Sequence, residues 1–293
     1  MVPKVSSGDL EVQEFARKIR ILSLLMIYFA QSGHPGGCLS VADAVAFLAK
    51  EKVSLLASSR GARDSSSLVL SKGHSVPVLY AAGYLEGLVS WAELLTFRSI
   101  DSRLQGHPDV LSVPWLETST GSLGQGFSFA AGLALGRKLS GDRGDVVAVL
   151  GDGELQEGQV WEAAMFSAHH KLGNLSVIID RNGLQSDSPT EVVSGLEPLA
   201  DKWAAFGWEV VAIDGHEISA IRNAMARSQP NVEIPRVIIA NTVKGKGVGY
   251  MEGMPAWHGS VAMTDSQLLE SLADLGVPGN VADVLMSQKE AAL

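Results

Sequence analysis

Cysteine is almost missing from this sequence: Cys38 is the single thiol among 293 residues. One thiol closes no internal disulfide, which excludes a disulfide-stapled secreted scaffold and sets the expectation of a reducing cytoplasm. Charge is sparse at 19%, and 23 Lys+Arg against 32 Asp+Glu leave a net −9 with no basic patch. That excludes the electrostatic footprint of a nucleic-acid binder, and an anionic ligand would need help from a metal or from helix N-termini. No long apolar run exists either. Ile21 to Ala30 is broken by Ser23 and is too short to span a bilayer. The opening MVPKVSSGDLEVQEF lacks the charged-then-apolar order of a signal peptide. Neither zinc-type His/Cys spacing nor a G-x-S-x-G nucleophile elbow occurs.

Glycine, by contrast, is abundant. Its 31 copies fall in clusters, which points to functional loops rather than low complexity. Between the clusters the pattern alternates. Helical spacing runs from Leu10 to Ala30, and Ser40 is a candidate N-cap for a helix reaching Lys50. Pro77–Leu85 and 159–172 also read as helices, and the Ala/Gly-rich stretch Phe127–Leu139 reads as a buried one. Short continuous apolar runs at Ser67–Leu70, Val146–Leu150, Leu175–Asp180, Trp208–Asp214 and Arg236–Thr242 read as buried strands. The fold class is therefore α/β: one domain over 1–293 with an open, mostly parallel sheet, helices on both faces, and a helical tail from Thr264.

Four polar or glycine-rich motifs follow predicted strands: SKGH, GDG, DRNG and TVKGKG. Ligands bind at the carboxyl ends of strands in open α/β sheets, so all four should meet at one rim. In GDG, Gly151 and Gly153 let the backbone approach a phosphate, and Asp152 can hold Mg²⁺. Asn182 follows one helix and one strand later, on a neighbouring strand end. Asp152, Asn182 and a carbonyl near Leu184 make a half-shell for an ion that takes one or two protein side chains plus phosphate and water oxygens. A dinucleotide site fits less well: TGSLGQG has the order G-x-x-G-x-G, with no clear strand before it. His34, His74, His107 and His258 each lie beside a glycine in predicted loops, a setting suited to acid–base handling of hydroxyl and carbonyl oxygens. His169 and His170 read as helix residues and His216 as a turn residue.

The segments SGHPGG, LSKGHSVPVLYAAGYLEG, GHPDVLSVPWLETSTGSLGQG, LGDGELQEGQVWEAA, KLGNLSVIIDRNGLQ, LADKWAAFGWEVVAIDGH and TVKGKGV…WHGS occur in one order across nearly the whole chain. In this the sequence resembles the N-terminal, diphosphate-binding half of transketolase. The resemblance implies the thiamine-diphosphate-binding fold and a cofactor held through a divalent metal (Mg²⁺, or Ca²⁺ or Mn²⁺). Asp152 and Asn182 match the metal-ligand side chains, Leu184 the carbonyl ligand and Gly153 a diphosphate contact. His74 and His258 match histidines near the diphosphate and thiazolium, and His34 and His107 those that handle the donor sugar. Gly121 and Leu123 match residues around the cofactor rings, and Glu157 a glutamate between cofactor sites at the subunit interface. The motif departs from the usual paired asparagines, ending Arg181-Asn182; the KGKG loop adds Lys244 and Lys246, which either touch phosphate or lie on the surface.

The resemblance covers less than half of a full transketolase. It implies the small subunit of a split enzyme that moves a two-carbon ketol unit from a ketose to an aldose, as sugars or sugar phosphates. A separate C-terminal subunit would supply the pyrimidine-activating glutamate, in an α2β2 assembly burying a substantial apolar surface. Two other readings stand beside it: the cofactor-binding subunit of a 2-oxo acid dehydrogenase, and a non-catalytic relic of the fold. The histidines of LSKGHSVPVLY and WHGS favour the transferase, because an oxo acid decarboxylase has no need of sugar-handling imidazoles.

Overall fold

A computed structural model describes residues 6–55, 64–226, 233–259 and 261–292, with side chains through 287. Ser260 of the WHGS motif lies outside the described residues.

Helix α1 (Ser7–Ala30) starts with a capping box between Ser6 and Asp9 and ends at Gln31, at φ 50°. From Ile19 to Tyr28 every residue is buried, so the helix runs through the core. Helix α2 (Pro35–Phe47) is buried throughout and extends as one wider turn, Leu48–Lys52. It begins five residues before the expected cap. Proline at the first position fixes a helical φ, and burial offsets the poor propensity of Gly36 and Gly37. Ser40 therefore caps nothing; its hydroxyl donates to Asp180 Oδ2 at 2.6 Å.

Strand β1 (Ser67–Leu70) leads through α3 (Pro77–Leu85), the short α4 (Trp91–Leu94) and a loop region to α5 (Gln125–Ser140) and β2 (Val146–Gly151). Helix α6 (Gly158–His169) precedes β3 (Leu175–Arg181). A small antiparallel hairpin, β4 (Leu184–Gln185) and β5 (Ser188–Pro189), opens the next connection, with α7 (Thr190–Val193) and α8 (Leu199–Ala205) after it. Then come β6 (Glu209–Asp214), α9 (Ile218–Met225) and β7 (Arg236–Asn241), and the tail forms α10 (Asp265–Asp274) and α11 (Gly279–Ala292).

Among the described residues the main sheet has the order β1-β2-β3-β7-β6 with every pairing parallel. One core packs α1, α2, α3 and α9 on one face; the other packs α5, α6 and α8 on the opposite face. The four other strands are almost wholly buried, which accounts for their continuous apolar runs, while the edge strand β6 is half-exposed. Helix α5 buries only one face, through Phe127, Ala130, Ala131 and Ala134; Phe129 and Leu139 point outward. The expectation of a fully buried helix there is corrected: its small residues left no polar stripe to mark the solvent side.

The sheet grows in one direction through β3, then β6 is laid down beyond β7 and the chain returns. That reversal opens a crevice at the carboxyl ends of β3 and β7. Register places Gly151 beside Asp180 and Asp180 beside Ala240, so the loops after four strands leave from one rim.

Candidate active site

Asp180, at the end of β3, is fully buried and organises the rim. It accepts from Lys72 Nζ (2.5 Å), Ser40 Oγ (2.6 Å), Thr242 Oγ1 (2.5 Å) and Asn182 Nδ2 (3.1 Å). Those donors come from the ends of β1, β3 and β7 and from α2, so one carboxylate ties four segments. Buried Lys72 neutralises it, and the ammonium and hydroxyl donors hold its pKa below the usual carboxylate value against the opposing effect of burial. Because the Asn182 amide nitrogen is committed to Asp180, its oxygen faces the other way and accepts from Leu184 N at 3.2 Å.

Asp152 follows β2, the strand next to β3. Its Oδ1 accepts from Gly153 N (2.8 Å), and its Oδ2 from Gly183 N (2.6 Å) and Arg181 Nη1 (3.2 Å). Burial and the nearby Asp180 charge raise its pKa. Arg181, in place of the usual asparagine, also donates to Thr190 Oγ1, Glu191 and Glu197, clamping the segment after β5 against Asp152.

His34, His74 and His258 form a triangle with ring centres 5.0, 5.8 and 5.5 Å apart. Burial, reinforced by nearby Lys72 and Lys244, pulls His34 down to about 4, His258 to about 3, and His74 well below its ordinary value. Burial and Arg98 lower His107 as well. At neutral pH the three clustered rings are neutral imidazoles, each with one donor and one acceptor. Lys244, from the loop after β7, is buried; its Nζ donates to Leu184 O (2.9 Å) and lies 2.6 Å from His258 Nδ1. Burial and Lys72 lower it to about 8. The loop that carries it is held from behind: His216 Nε2 accepts from Val243 N (2.9 Å), and its Nδ1 donates to Asp43 (2.7 Å). His216 is thus a turn residue with a packing role. Lys246 lies at the surface near Glu252.

These groups surround one cavity of about 260 Å³. Its walls include His34, His74, His107 and His258; Gly121 and Leu123; Gly151, Asp152 and Gly153; and Asn182 and Leu184. Glu157 is not in the cavity; it is exposed at the N-terminus of α6. Among the described residues, no group of three or more His, Cys, Asp or Glu could hold a metal ion. Of the residues expected at a metal, Asp152, Asn182 and Leu184 bring one carboxylate, one amide and one carbonyl oxygen to the cavity wall.

Residues 12–280 match the family described as transketolase, thiamine diphosphate binding domain. The sequence is 38% identical over 275 residues to the 6-deoxy-6-sulfo-D-fructose transketolase subunit SqwG of Clostridium sp. (strain MSTE9), covering 94% of this chain and 100% of that one. The chain belongs to the transketolase family. It is also 36% identical over 252 residues to one subunit of the apulose-4-phosphate transketolase of Phocaeicola vulgatus, covering 86% and 89% of the two chains. The transketolase structure from Campylobacter jejuni superposes with a TM-score of 0.84 at 28% identity, over 96% of this chain but 48% of that one. The chain thus matches one transketolase subunit in full, but only about half of a longer transketolase.

Sequence reasoning missed several residues in or beside this cavity: Lys72, Asp180, Glu154, Gln185 and Ser186. Lys72 and Asp180 stand inside the SKGH and DRNG motifs, but their pairing spans 108 positions and leaves no local pattern. Glu154 offered one signal, an acid immediately after GDG at the end of a buried strand.

Proposed function

We propose that this chain is the diphosphate-binding subunit of a thiamine-diphosphate- and metal-dependent ketol transferase that works with a separate C-terminal subunit. The observation that carries the reading is the meeting of Asp152, Asn182, Leu184 and the histidine triangle in one cavity at the sheet's switch point. The residues fit the group. The oxygen donors are hard and few, which suits Mg²⁺, Ca²⁺ or Mn²⁺ completing its shell from phosphate and water. His34 Nδ1 is buried with no hydrogen-bond partner among the described residues, as a group that meets a ligand would be.

In this reading Asp152, Asn182 and the Leu184 carbonyl hold the metal, and the backbone at Gly151 and Gly153 lies along the diphosphate. His74, His258 and Lys244 face the phosphate and the reacting ring. Gly121 and Leu123 line the ring end. When bound, the cofactor supplies the electron sink for cleaving the bond beside a ketose carbonyl. This chain's part is to orient and desolvate. His34 and His107 pass protons among donor-sugar hydroxyls, each neutral ring giving one and accepting one. The relatives' names span a sulfonated and a phosphorylated sugar, which supports sugars or sugar phosphates as the substrate class.

The cavity is smaller than the ~300–1,000 Å³ usual for ligand sites, which supports a second wall from a partner subunit in an α2β2 assembly. Glu157, exposed at the head of α6, fits a contact with that assembly. Residues 1–293 are read as one domain with a helical tail, and the lone buried Cys38 suits the cytoplasm. Among the described residues no helix is long and apolar enough to cross a membrane.

Equilibrium dialysis of thiamine diphosphate with Mg²⁺ tests the core of this reading. Asp152→Ala is expected to abolish retention that the unmodified protein shows. Equal retention by both proteins overturns the assignment of the metal site.

A further inference from the structure

Glu154 has no part in the scheme above, yet it is a charged side chain only 2% exposed in the wall of the same cavity. Its carboxylate accepts three hydrogen bonds. One comes from the Ser71 hydroxyl, one from Gly124 N at 2.8 Å and one from Gly151 N at 3.0 Å. Ser71 Oγ in turn accepts from Phe127 N at 3.0 Å, so the tie continues into the first turn of α5.

The three anchored segments differ in what else holds them. Gly151 belongs to β2 and is in register with Asp180. Ser71 donates its backbone N–H to Val149 O at 2.9 Å, continuing the sheet pattern past β1. Thr118–Leu123 lies in neither a strand nor a helix. Its first half is tied to the 108–110 segment through Ser119 and Thr120 and to Leu70 O through Thr120 Oγ1; its second half is held by Gln159 on Leu123 O and by Glu154 at its far end, Gly124. Gly124 itself has φ +84°, and a side chain there would run into Gln159. The loop's last residue is therefore fixed by a buried carboxylate through its N–H.

We propose that Glu154 is a positioning residue that sets the Gly121–Gly124 loop against the strand ends, so that it governs binding of the cofactor's rings and not of its diphosphate. This inference rests on the thiamine diphosphate reading. A carboxylate suits the position because it only accepts, and its neighbours here all donate. Glu154→Gln keeps the shape but turns an N–H toward an N–H, leaving a buried donor unmet. The sheet still holds Gly151, while the Gly121–Gly124 loop keeps its Thr120 and Gln159 ties but loses its hold at Gly124.

Isothermal titration of the chain with its partner subunit, in excess Mg²⁺, reads the two ends of the site separately. Thiamine diphosphate is titrated directly, and inorganic pyrophosphate is measured as its competitor. Glu154→Gln is expected to weaken thiamine diphosphate by about tenfold or more while the pyrophosphate inhibition constant stays within about twofold. Ser71→Ala, which removes one tie and keeps the carboxylate, is expected to shift the same ratio in the same direction by less, and it carries the test if Glu154→Gln fails to fold. Unchanged thiamine diphosphate affinity overturns the inference, as does an equal loss for both ligands, which would make Glu154 a general structural support. Failure of the unmodified complex to bind thiamine diphosphate would sink the cofactor reading itself, an outcome distinct from either.

Discussion

Three imidazoles with centres 5.0 to 5.8 Å apart, next to two buried ammonium groups, cannot all be cations. The sequence suggested groups titrating near neutral pH; the fold instead holds them neutral, because burial removes the water that would solvate a charged ring. A neutral ring passes a proton between hydroxyls without building charge in the site. The cost appears in stability at low pH. His258 is held at about 3 in the folded chain against ~6.5 when unfolded, so on acidification the unfolded state takes the proton first. Its contribution is full above pH ~6.5 and is lost as pH falls toward the folded value. The urea midpoint should therefore fall between pH 7 and 5, and fall less steeply in His258→Asn. Buried Asp152 and Glu154, raised by burial, work in the opposite direction but are common to both proteins. Identical slopes would mean that the fold does not keep His258 neutral.

At the scale of elements, the approach of α5 to β1 is close enough to need glycine. A Cβ on Gly126 would lie 2.6 Å from Ser71 Cα, a backbone atom that cannot turn aside. Gly126→Ala should push the start of α5 off the strand end and cost about 1–3 kcal/mol in urea unfolding. Gly132, further along the same helix, has nothing within 4 Å of where a Cβ would stand; alanine there should stabilise the isolated chain by roughly 0.5–1 kcal/mol. Equal effects at the two sites would remove the packing argument. The same contrast explains what could be read in advance. Strands announced themselves because a parallel strand buried on both faces is a bare apolar run, and the residues that line the cavity followed because strand ends are where ligands bind. Hidden were the polar struts. Ser40 reaches Asp180 across 140 positions, and Ser71 reaches Glu154 across 83. No periodicity records such a pair. Ser40 looked like a helix start because serine caps helices and glycines disfavour them; the φ fixed by Pro35 and the burial of Gly36 and Gly37 reverse that. Lys244 was ambiguous between surface and site for the same reason: its place depends on a loop held from behind by His216 and Asp43.

For the molecule as a whole, the outer sides of α5 and α6 expose Phe129, Leu139, Met165 and Phe166, at 42%, 79%, 53% and 37%. Gly132 and Gly136 leave the surface of α5 low between them, with open space above each. Large apolar side chains exposed on two helices that pack together are candidates for an interaction surface. A stable assembly of obligate subunits buries upwards of ~2,000 Å², and a site with too little wall of its own gives such an assembly a chemical purpose. The native mass of the protein drawn from its own host decides between the alternatives. A complex about four times the 30.9 kDa of this chain, containing a second polypeptide of similar size, is the expected result. Phe166→Glu should then lower that mass, because a carboxylate buried in an apolar contact costs more than the contact returns. The same complex should transfer ketol units among a panel of ketoses and aldoses, and neither chain should do so alone. A homo-oligomer with no second polypeptide would leave any further wall of the cavity to a second copy of this chain, and ketol transfer by a split enzyme would lose its main physical support.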